Sequence, residues 1–428
     1  MSYILVLTLV YIIIVIYIQR KDSLTGLYGR VYGRKRINKM AKSGDISLIA
    51  LDIDAFKDIN TVYGFAAADK LLKSFSQRLK GWSDKGVISR EGNDDFFIAI
   101  PHTISIHAIE NLVSILQNPY LIDGSEISIK VHVGVSNHET MIIKSAKLAL
   151  DEARATKGNK IIVYTDDLQK TTERRIQIQT EIQNALKNEE FELVYQPQFE
   201  VSRNKIIGFE ALLRWNNKNL GVVPPNEFIP AAERIGFIIN IDRWVVDQVC
   251  KQAEEWAAHE LKLSMNISMQ QFQDREFINY LLETVNSYNI NPGLIGIEVT
   301  ETSFMGDVQA ATWALQKIKS AGIEVSIDDF GTGYSSLSYL HSLHVDMIKI
   351  DKSFVDAIPM KPQGVVIIST IIQLAHNMGV EIIAEGVETE AQQQLLEGLG
   401  CYYMQGYLFS KPISKEHVET LLETRGSQ

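Results

Sequence analysis

Hydrophobic and polar positions divide the chain into an apolar start and two patterned bodies. From Tyr3 to Ile18 every residue is Tyr, Ile, Leu or Val except Thr8, with no charge. Gln19, Arg20 and Lys21 close the run. A helix of that length reaches ~24–27 Å, the thickness of a thin bilayer core. A secretory signal peptide would want a basic start and a small-residue cleavage site, and neither is there. A buried N-terminal helix or strand is the other alternative. Arg20, Lys21, Arg30, Arg34, Lys35 and Arg36 all follow the run, which under the positive-inside rule puts the rest of the chain in the cytoplasm. The pattern therefore predicts a transmembrane anchor at 1–21 and a single-pass protein of the cell inner membrane, with no room for a sensor on the far side.

Residues 22–165 alternate between strand and helix periods. Ile46–Ile53 is a buried strand type, and Leu71, Leu72, Phe75 and Leu79 mark a helix over 67–79. Val87–Arg90 and Phe96–Ile100 read as a hairpin around Glu91-Gly92-Asn93-Asp94. Ile127–Val135 alternates as a strand, Lys144–Arg154 is amphipathic, and Ile161–Tyr164 closes the unit. The expectation is an α/β body with a mostly antiparallel sheet. Residues 166–188 are rich in Gln, Glu, Lys and Arg, with Ile176, Ile178, Ile182 and Leu186 at helical spacing. They predict a connecting helix, either a solvated one or a signalling lever.

Over the last part, 175–428, short apolar runs recur at 192–195, 206–213, 261–267, 295–299, 325–327, 347–350, 381–384 and 404–409. Helical segments separate most of them. Strands alternating with helices over this length point to a TIM-like (β/α)8 barrel.

Composition narrows the chemistry. The chain has 428 residues, 22% charged and 46% hydrophobic, which excludes a disordered chain and a polytopic membrane protein. Its 52 acidic and 42 basic residues give a net charge of -10, which argues against nucleic acid as a partner. Two isolated cysteines, Cys250 and Cys401, indicate neither a disulfide framework nor a thiolate zinc site.

The residues that end the barrel strands carry the functional signal. In chain order they are Gln196, Glu210 with Arg214 beyond it, Asn266, Glu298 with Glu301, the pair Asp328-Asp329, Lys349 and Glu385. Gln405 stands near the start of the eighth predicted strand. A barrel builds its active site at the C-terminal face from such positions. Glu210, Glu298, Asp328 and Asp329 would repel one another in a low dielectric without cations, and hard divalent ions take oxygen ligands of this kind. With no HExxH and no histidine at these ends, a zinc hydrolase is disfavoured. Two metals ~3.5–4 Å apart would suit in-line displacement at phosphorus. Lys349 adds positive charge, and Glu385 is left as a general base. Each residue alone would read as a cap or a surface ion pair; together they are hard to assign that way.

The run Glu210-Ala211-Leu212-Leu213-Arg214 resembles the signature of EAL-type cyclic di-GMP phosphodiesterases. Further resemblance over about 175–420 lies in Gln196-Pro197, Asn266-Ile267-Ser268, Glu298-Val299-Thr300-Glu301, the stretch from Asp328 to Leu337, Lys349-Ile350-Asp351, Glu385-Gly386-Val387-Glu388 and Gln405-Gly406. The resemblance implies metal ligands at Glu210, Asn266, Glu298, Asp328 and Asp329, holding two Mg2+ or Mn2+ ions. It implies that Glu385 and Lys349 hold and activate the attacking water, with Gln405 near it. Glu301 would fix the loop after Asp328-Asp329, and Arg214 and Gln196 would contact phosphate and guanine. The implied reaction opens one phosphodiester of cyclic di-GMP to linear pGpG, in a homodimer formed through the EAL domain.

The front body, about 22–165, resembles a GGDEF or diguanylate cyclase domain. Asp22-Ser23-Leu24-Thr25-Gly26-Leu27 is similar to its entry motif, and Asp52 to Asn60 and Asp69 to its metal and guanine segments. It departs from the family where catalysis would sit. The signature hairpin reads Gly92-Asn93-Asp94-Asp95-Phe96, with Asn93 for a glycine and Asp95 for a Glu. Phe65 stands for a His, Ala68 for a Gly, and Ser83-Asp84-Lys85-Gly86 replaces the product-inhibition motif. A side chain at 93 intrudes where backbone must approach phosphates. The expectation is a degenerate domain with little or no cyclase activity. Asp52, Asn60, Asp69 and Asp94 remain for GTP as an allosteric ligand; a structural or dimerising relic is the alternative. For the whole chain the alternatives are a non-catalytic cyclic di-GMP receptor, which the complete metal set disfavours, and a bifunctional cyclase and phosphodiesterase, which Asn93 disfavours.

Overall fold

The computed structural model describes residues 20–82, 86–138, 141–156, 161–304, 307–331, 345–357 and 362–425. The chain divides into two compact units, with the boundary between Arg174 and Arg175. It falls inside the helix Asp166–Ala185.

The strands of the front unit are β1 (Tyr28–Gly29), β2 (Ser47–Ile53), β3 (Val87–Arg90), β4 (Asp95–Ile100), β5 (Tyr120–Ile122), β6 (Ser125–Ile127), β7 (Val131–Ser136) and β8 (Ile161–Val163). Six of them form one sheet in the order β1-β3-β4-β2-β7-β8, and β5 and β6 pair separately. The expected hairpin is present as β3–β4, but the expected strand over 127–135 is broken into the end of β6 and β7. The sheet is mixed, which corrects the expectation of a mostly antiparallel one: β1–β3 and β7–β8 are parallel. The reason is topological. The helix Ile142–Ala155 carries the chain from β7 back across the sheet, and such a crossover delivers β8 in the same direction. All seven residues of β2 are buried, because the sheet is covered on both faces. Leu71, Phe75 and Leu112 lie in the core on one side, and Ile37, Ala146 and Leu150 in the core on the other. Gly134 permits the second packing, since a Cβ there would lie 2.2 Å from the backbone nitrogen of Leu150.

The expected membrane anchor, 1–21, lies outside the described residues except for Arg20 and Lys21. Lys21 forms an isolated bridge to Tyr28. Among the described residues no helix is long and apolar enough to cross a membrane. The expectation of a single-pass inner-membrane protein is corrected accordingly. The run Tyr3–Ile18 holds 16 residues, below the ~20 that a spanning helix needs. The cytoplasmic orientation rested on that span and falls with it.

The second unit contains β9 (Phe191–Glu200), β10 (Lys205–Asn217), β11 (Gly221–Val223), β12 (Lys262–Asn266), β13 (Ile295–Thr300), β14 (Glu324–Phe330), β15 (Met347–Ile350), β16 (Glu381–Ala384) and β17 (Tyr403–Met404). The order β10-β12-β13-β14-β15-β16-β17-β9 closes on itself through β9–β10, giving an eight-stranded barrel with β11 as an outer hairpin strand. It departs from a regular (β/α)8 barrel at one strand: β9 runs antiparallel to both β10 and β17. A short 3-10 turn, Val201–Arg203, joins β9 to β10 instead of a helix, so the chain reverses. Ile178, Ile182 and Ala185 belong to this unit's core, so the last turns of the connecting helix are part of the barrel's packing.

Candidate active site

Register brings the strand-end residues into one ring. Glu210 on β10 lies opposite Gln196 on β9, and Asn266 on β12 opposite Glu298 on β13. Thr300 on β13 is opposite Asp328 on β14. The β14–β15 register then shifts between Ile327 and Phe330, and Asp329 has a φ of 53°. Aspartate is one of the few side chains that tolerates this left-handed conformation. Gln405 follows β17, beyond its C-terminal end, so its position is the same as that of the other ring residues.

Lys349 is the hub. Its side chain is 1% exposed, and its ammonium lies 2.6 Å from Glu385, 3.4 Å from Asp328 and 3.5 Å from Glu210, with Glu298 in direct contact. Glu210 also accepts hydrogen bonds from Asn266 Nδ2 at 2.8 Å and Gln405 Nε2 at 2.5 Å. Gln405 Nε2 reaches Gln196 Oε1 at 3.2 Å, and Gln196 Nε2 donates to the carbonyl of Ser410 at 3.4 Å. Thus Gln196, Glu210, Asn266, Glu298, Asp328, Lys349, Glu385 and Gln405 share one network. Asp329 is exposed and stands beside Asp328. Glu301 is buried, and its Oε2 accepts from the Gly331 backbone N–H at 3.2 Å. The segment 332–337 of the resemblance lies outside the described residues. Arg214 is half-buried and donates to the Leu213 carbonyl at 2.9 Å.

The electrostatics leave negative charge uncompensated. One ammonium faces four carboxylates. Burial acts against the charge of Glu210, but Lys349 and the bonds from Gln405 and Asn266 outweigh it and hold that carboxyl below its usual range. Burial and the neighbouring charge of Glu210 push Glu298 well above it. Burial pushes Glu385 up to about 8, Lys349 opposing and Asp328 adding to the rise. Burial and Asp328 push Asp329 up to about 6. Burial acts to lower the pKa of Lys349, yet Asp328, Glu210, Glu298 and Glu385 hold it well above the usual value. Carboxyls that retain protons near neutrality mark a site short of positive charge. The buried Oε1 atoms of Gln405 and Glu301 also have no hydrogen-bond partner. This donor set fits divalent cations bound by oxygen. The ammonium draws the carboxylates onto itself, so they surround it instead of converging on a common point.

In the front unit, ligand atoms of Asp52, Asp94 and Asp95 all lie within 4.8 Å of one another. Arg154 Nη2 donates to Asp52 Oδ1 at 2.8 Å and also bonds Asp95. His132 Nδ1 lies 3.3 Å from Asp52 Oδ2. Burial, with the charge of Asp52, raises the carboxyl of Asp94, and burial raises Asp95 against the pull of Arg154. Asn60 and Asp69 are not drawn into this cluster: Asn60 Nδ2 donates to the Phe56 carbonyl at 3.2 Å, and Asp69 is exposed on the next helix. Phe65 is exposed and Ala68 buried. The triplet 83–85 lies outside the described residues. Asp22 caps its own turn, accepting from Thr25 N at 2.8 Å and Oγ1 at 2.6 Å, and pairs with Arg90 at 3.2 Å.

Three residues of these sites escape a reading of the sequence. Arg154 gives no signal, because an arginine at a helix end is ordinary. Asp95 reads only as a shortened Glu. Asp242 does leave one: it is an acid on the apolar face of the helix Ile238–Glu255, between Ile241 and Val245. It is buried and accepts from Ser268 Oγ at 2.6 Å and Ser268 N at 3.3 Å, fixing the turn just past Asn266.

Comparison with known proteins covers both units. Residues 179–412 match the family model described as EAL domain, and 19–160 that described as Diguanylate cyclase, GGDEF domain. The signaling protein YkoW of Bacillus subtilis is 34% identical over 426 residues, which is 95% of this chain and 53% of YkoW. The bifunctional diguanylate cyclase/cyclic di-GMP phosphodiesterase MucR of Pseudomonas aeruginosa is 31% identical, over 93% of this chain and 61% of MucR. The chain thus spans between half and two thirds of the length of these relatives. The solved structure "PaMucR Phosphodiesterase, c-di-GMP complex" superposes with a TM-score of 0.55 and 36% identity, covering 56% of this chain and 99% of that one.

Proposed function

This chain belongs to the EAL domain family, with a GGDEF domain ahead of its barrel, and from that premise we propose that it hydrolyses cyclic di-GMP to linear pGpG. The observation that carries the reading is the buried ring around Lys349, in which four carboxylates face a single ammonium. Glu210, Asn266, Glu298, Asp328 and Asp329 would hold two Mg2+ or Mn2+ ions. Bound there, such ions supply Lewis-acid polarisation of the phosphoryl oxygens and charge for the attacking oxygen. The chain's own residues orient and transfer protons. Glu385, paired with Lys349 and with a raised pKa, is suited to take the proton of the attacking water near neutral pH. Lys349 keeps Glu385 oriented and adds positive charge where the phosphorane charge develops. Gln405 fixes Glu210 through its amide, leaving its own Oε1 available to a water. Arg214, with no carboxylate partner among the described residues, is the cation available to a phosphate at the rim.

For the front domain we propose no cyclase activity. Asn93 puts a side chain into the hairpin where a glycine would let the phosphates approach, and Arg154 already bridges Asp52 and Asp95. Asp52 and Asp94 stay close together, which supports GTP as a regulatory ligand.

The test is the purified chain incubated with cyclic di-GMP and MgCl2 or MnCl2, with products separated by chromatography. pGpG is expected, and Glu210→Ala is expected to abolish it. Tight binding of cyclic di-GMP with no pGpG in either metal would instead identify a receptor.

A further inference from the structure

The loop that follows β17 is held at nearly every residue. Gln405 N donates to the Ala384 carbonyl at 2.8 Å, and Val387 N donates to the Gln405 carbonyl at 3.1 Å. Gly406 packs so tightly that a Cβ there would lie 2.1 Å from the Val387 carbonyl oxygen. Leu408 N donates to the Val387 carbonyl at 3.0 Å, and Phe409 N and Ser410 N both donate to the Gly406 carbonyl at 3.1 Å. The Phe409 ring stacks on Phe199 with centroids 5.0 Å apart and planes at 23°. The carbonyl of Ser410 takes the amide of Gln196. Within this fixed loop one large side chain stands in solvent: Tyr407 is 57% exposed.

Its surroundings are those of a nucleotide platform. Lys411 Nζ lies over the Tyr407 ring, 5.5 Å from its centroid. Tyr407 is also near Arg214, the half-buried guanidinium of the rim: burial lowers the pKa of that group, and the charge of Tyr407 acts against the fall. A rigid exposed aromatic beside a cation that has no carboxylate partner among the described residues pairs a stacking surface for a base with a partner for a phosphate. Two residues upstream, Gln405 belongs to the catalytic ring.

We propose that Tyr407 seats one guanine of the dinucleotide by stacking on its solvent-exposed ring, and so sets the preference of the barrel for a base-bearing diester. The inference rests on the cyclic di-GMP reading above and adds to it a residue that selects substrate. It requires no movement of the loop, because Gln405 and Ser410 already fix both ends.

The experiment compares Tyr407→Ala and Tyr407→Phe in the full chain on cyclic di-GMP and on bis(p-nitrophenyl) phosphate, a diester with no base. For Tyr407→Ala the ratio of kcat/KM on the two substrates is expected to fall about tenfold to a hundredfold, the range of base–aromatic stacking, with the change carried by KM. Tyr407→Phe keeps the ring and is expected to stay within about threefold of the parent. An unchanged ratio in Tyr407→Ala overturns the proposal, and so does a Tyr407→Phe variant that falls as far as Tyr407→Ala. A parent protein that cleaves the base-free diester but not cyclic di-GMP overturns the functional reading, and the seat for guanine with it.

Discussion

The ammonium of Lys349 lies 2.6 Å from Oε1 of Glu385, so the cation and the base candidate of the barrel are joined before any substrate arrives. Glu385 still has a pKa of about 8, because burial and the neighbouring carboxylates outweigh that one contact. The direction has a consequence for stability. A carboxyl whose pKa is raised by folding binds a proton that the unfolded chain has already released. The metal-free protein is therefore expected to lose stability as pH rises from about 5 to about 8, and to level off above that. Bound cations remove the need for those protons. Melting curves at pH 6 and pH 8.5, with chelator and with MnCl2, check this: the metal should raise Tm more at the higher pH. Equal gains at both would show that the ring is not short of positive charge.

Replacing Lys349 tests the same balance from the other side. Lys349→Met leaves four carboxylates around an apolar tip. Removing one partner of a buried ion pair costs about 3–5 kcal/mol, and here the cost should be largest at pH 8 and smaller at pH 5, where the acids protonate. Activity should fall by about three orders of magnitude, the scale of a lost acid–base and electrostatic contribution. Thermal melts at the two pH values separate the effects. A variant that is inactive but as stable as the parent at pH 8 would mean that the carboxylates do not depend on Lys349.

Much of this site is legible in the sequence because a barrel repeats one rule: polar residues at the C-terminal ends of its strands face one cavity. Asp328 and Glu385 directly follow an apolar run, and Glu210, Asn266, Glu298 and Lys349 can be found as polar residues inside one. Gln405 is harder, since β17 has only two residues and the apolar run continues past it into the loop. The reversed direction of β9 cannot be read, because a strand has the same period in both directions. The mixed sheet in front is hidden for the same reason. So is the role of Lys349 as a hub: its four partners lie on or just beyond four different strands, and only closure of the barrel brings them to one ammonium.

Asp242 gives a second pH prediction. Burial raises its carboxyl to about 7, against the hydrogen bonds from Ser268. The ionised form is disfavoured in the folded state, so this group contributes a loss of stability that grows between about pH 4 and pH 7. Asp242→Asn keeps an oxygen for Ser268 and removes the titration. Relative to the parent, the variant should gain up to about 4 kcal/mol between pH 4 and pH 8, since the loss accumulates at about 1.4 kcal/mol per pH unit while only the folded form keeps the proton. Urea unfolding across that range measures it. Parallel profiles for parent and variant would exclude Asp242 as the titrating group.

The front domain offers the sharpest contrast between sequence and structure. The sequence shows departures at Asn93, Asp95, Phe65 and Ala68, and Asn93 is the one that intrudes on the phosphates, so on the sequence alone Asn93→Gly would restore some synthesis. The structure adds a second obstacle. The guanidinium of Arg154 bridges Asp52 and Asp95, whose side chain is one methylene shorter than the family's Glu. A planar, permanently charged group making charge-assisted bonds to two carboxylates is not displaced without cost. Asn93→Gly is therefore expected to stay inactive. The double change Asn93→Gly with Asp95→Glu is the smallest that relieves both obstacles. The assay belongs in a Glu210→Ala background, where any cyclic di-GMP made from GTP would accumulate instead of being opened. Synthesis by Asn93→Gly alone would show that Arg154 yields to the nucleotide and that the hairpin side chain is the whole of the block.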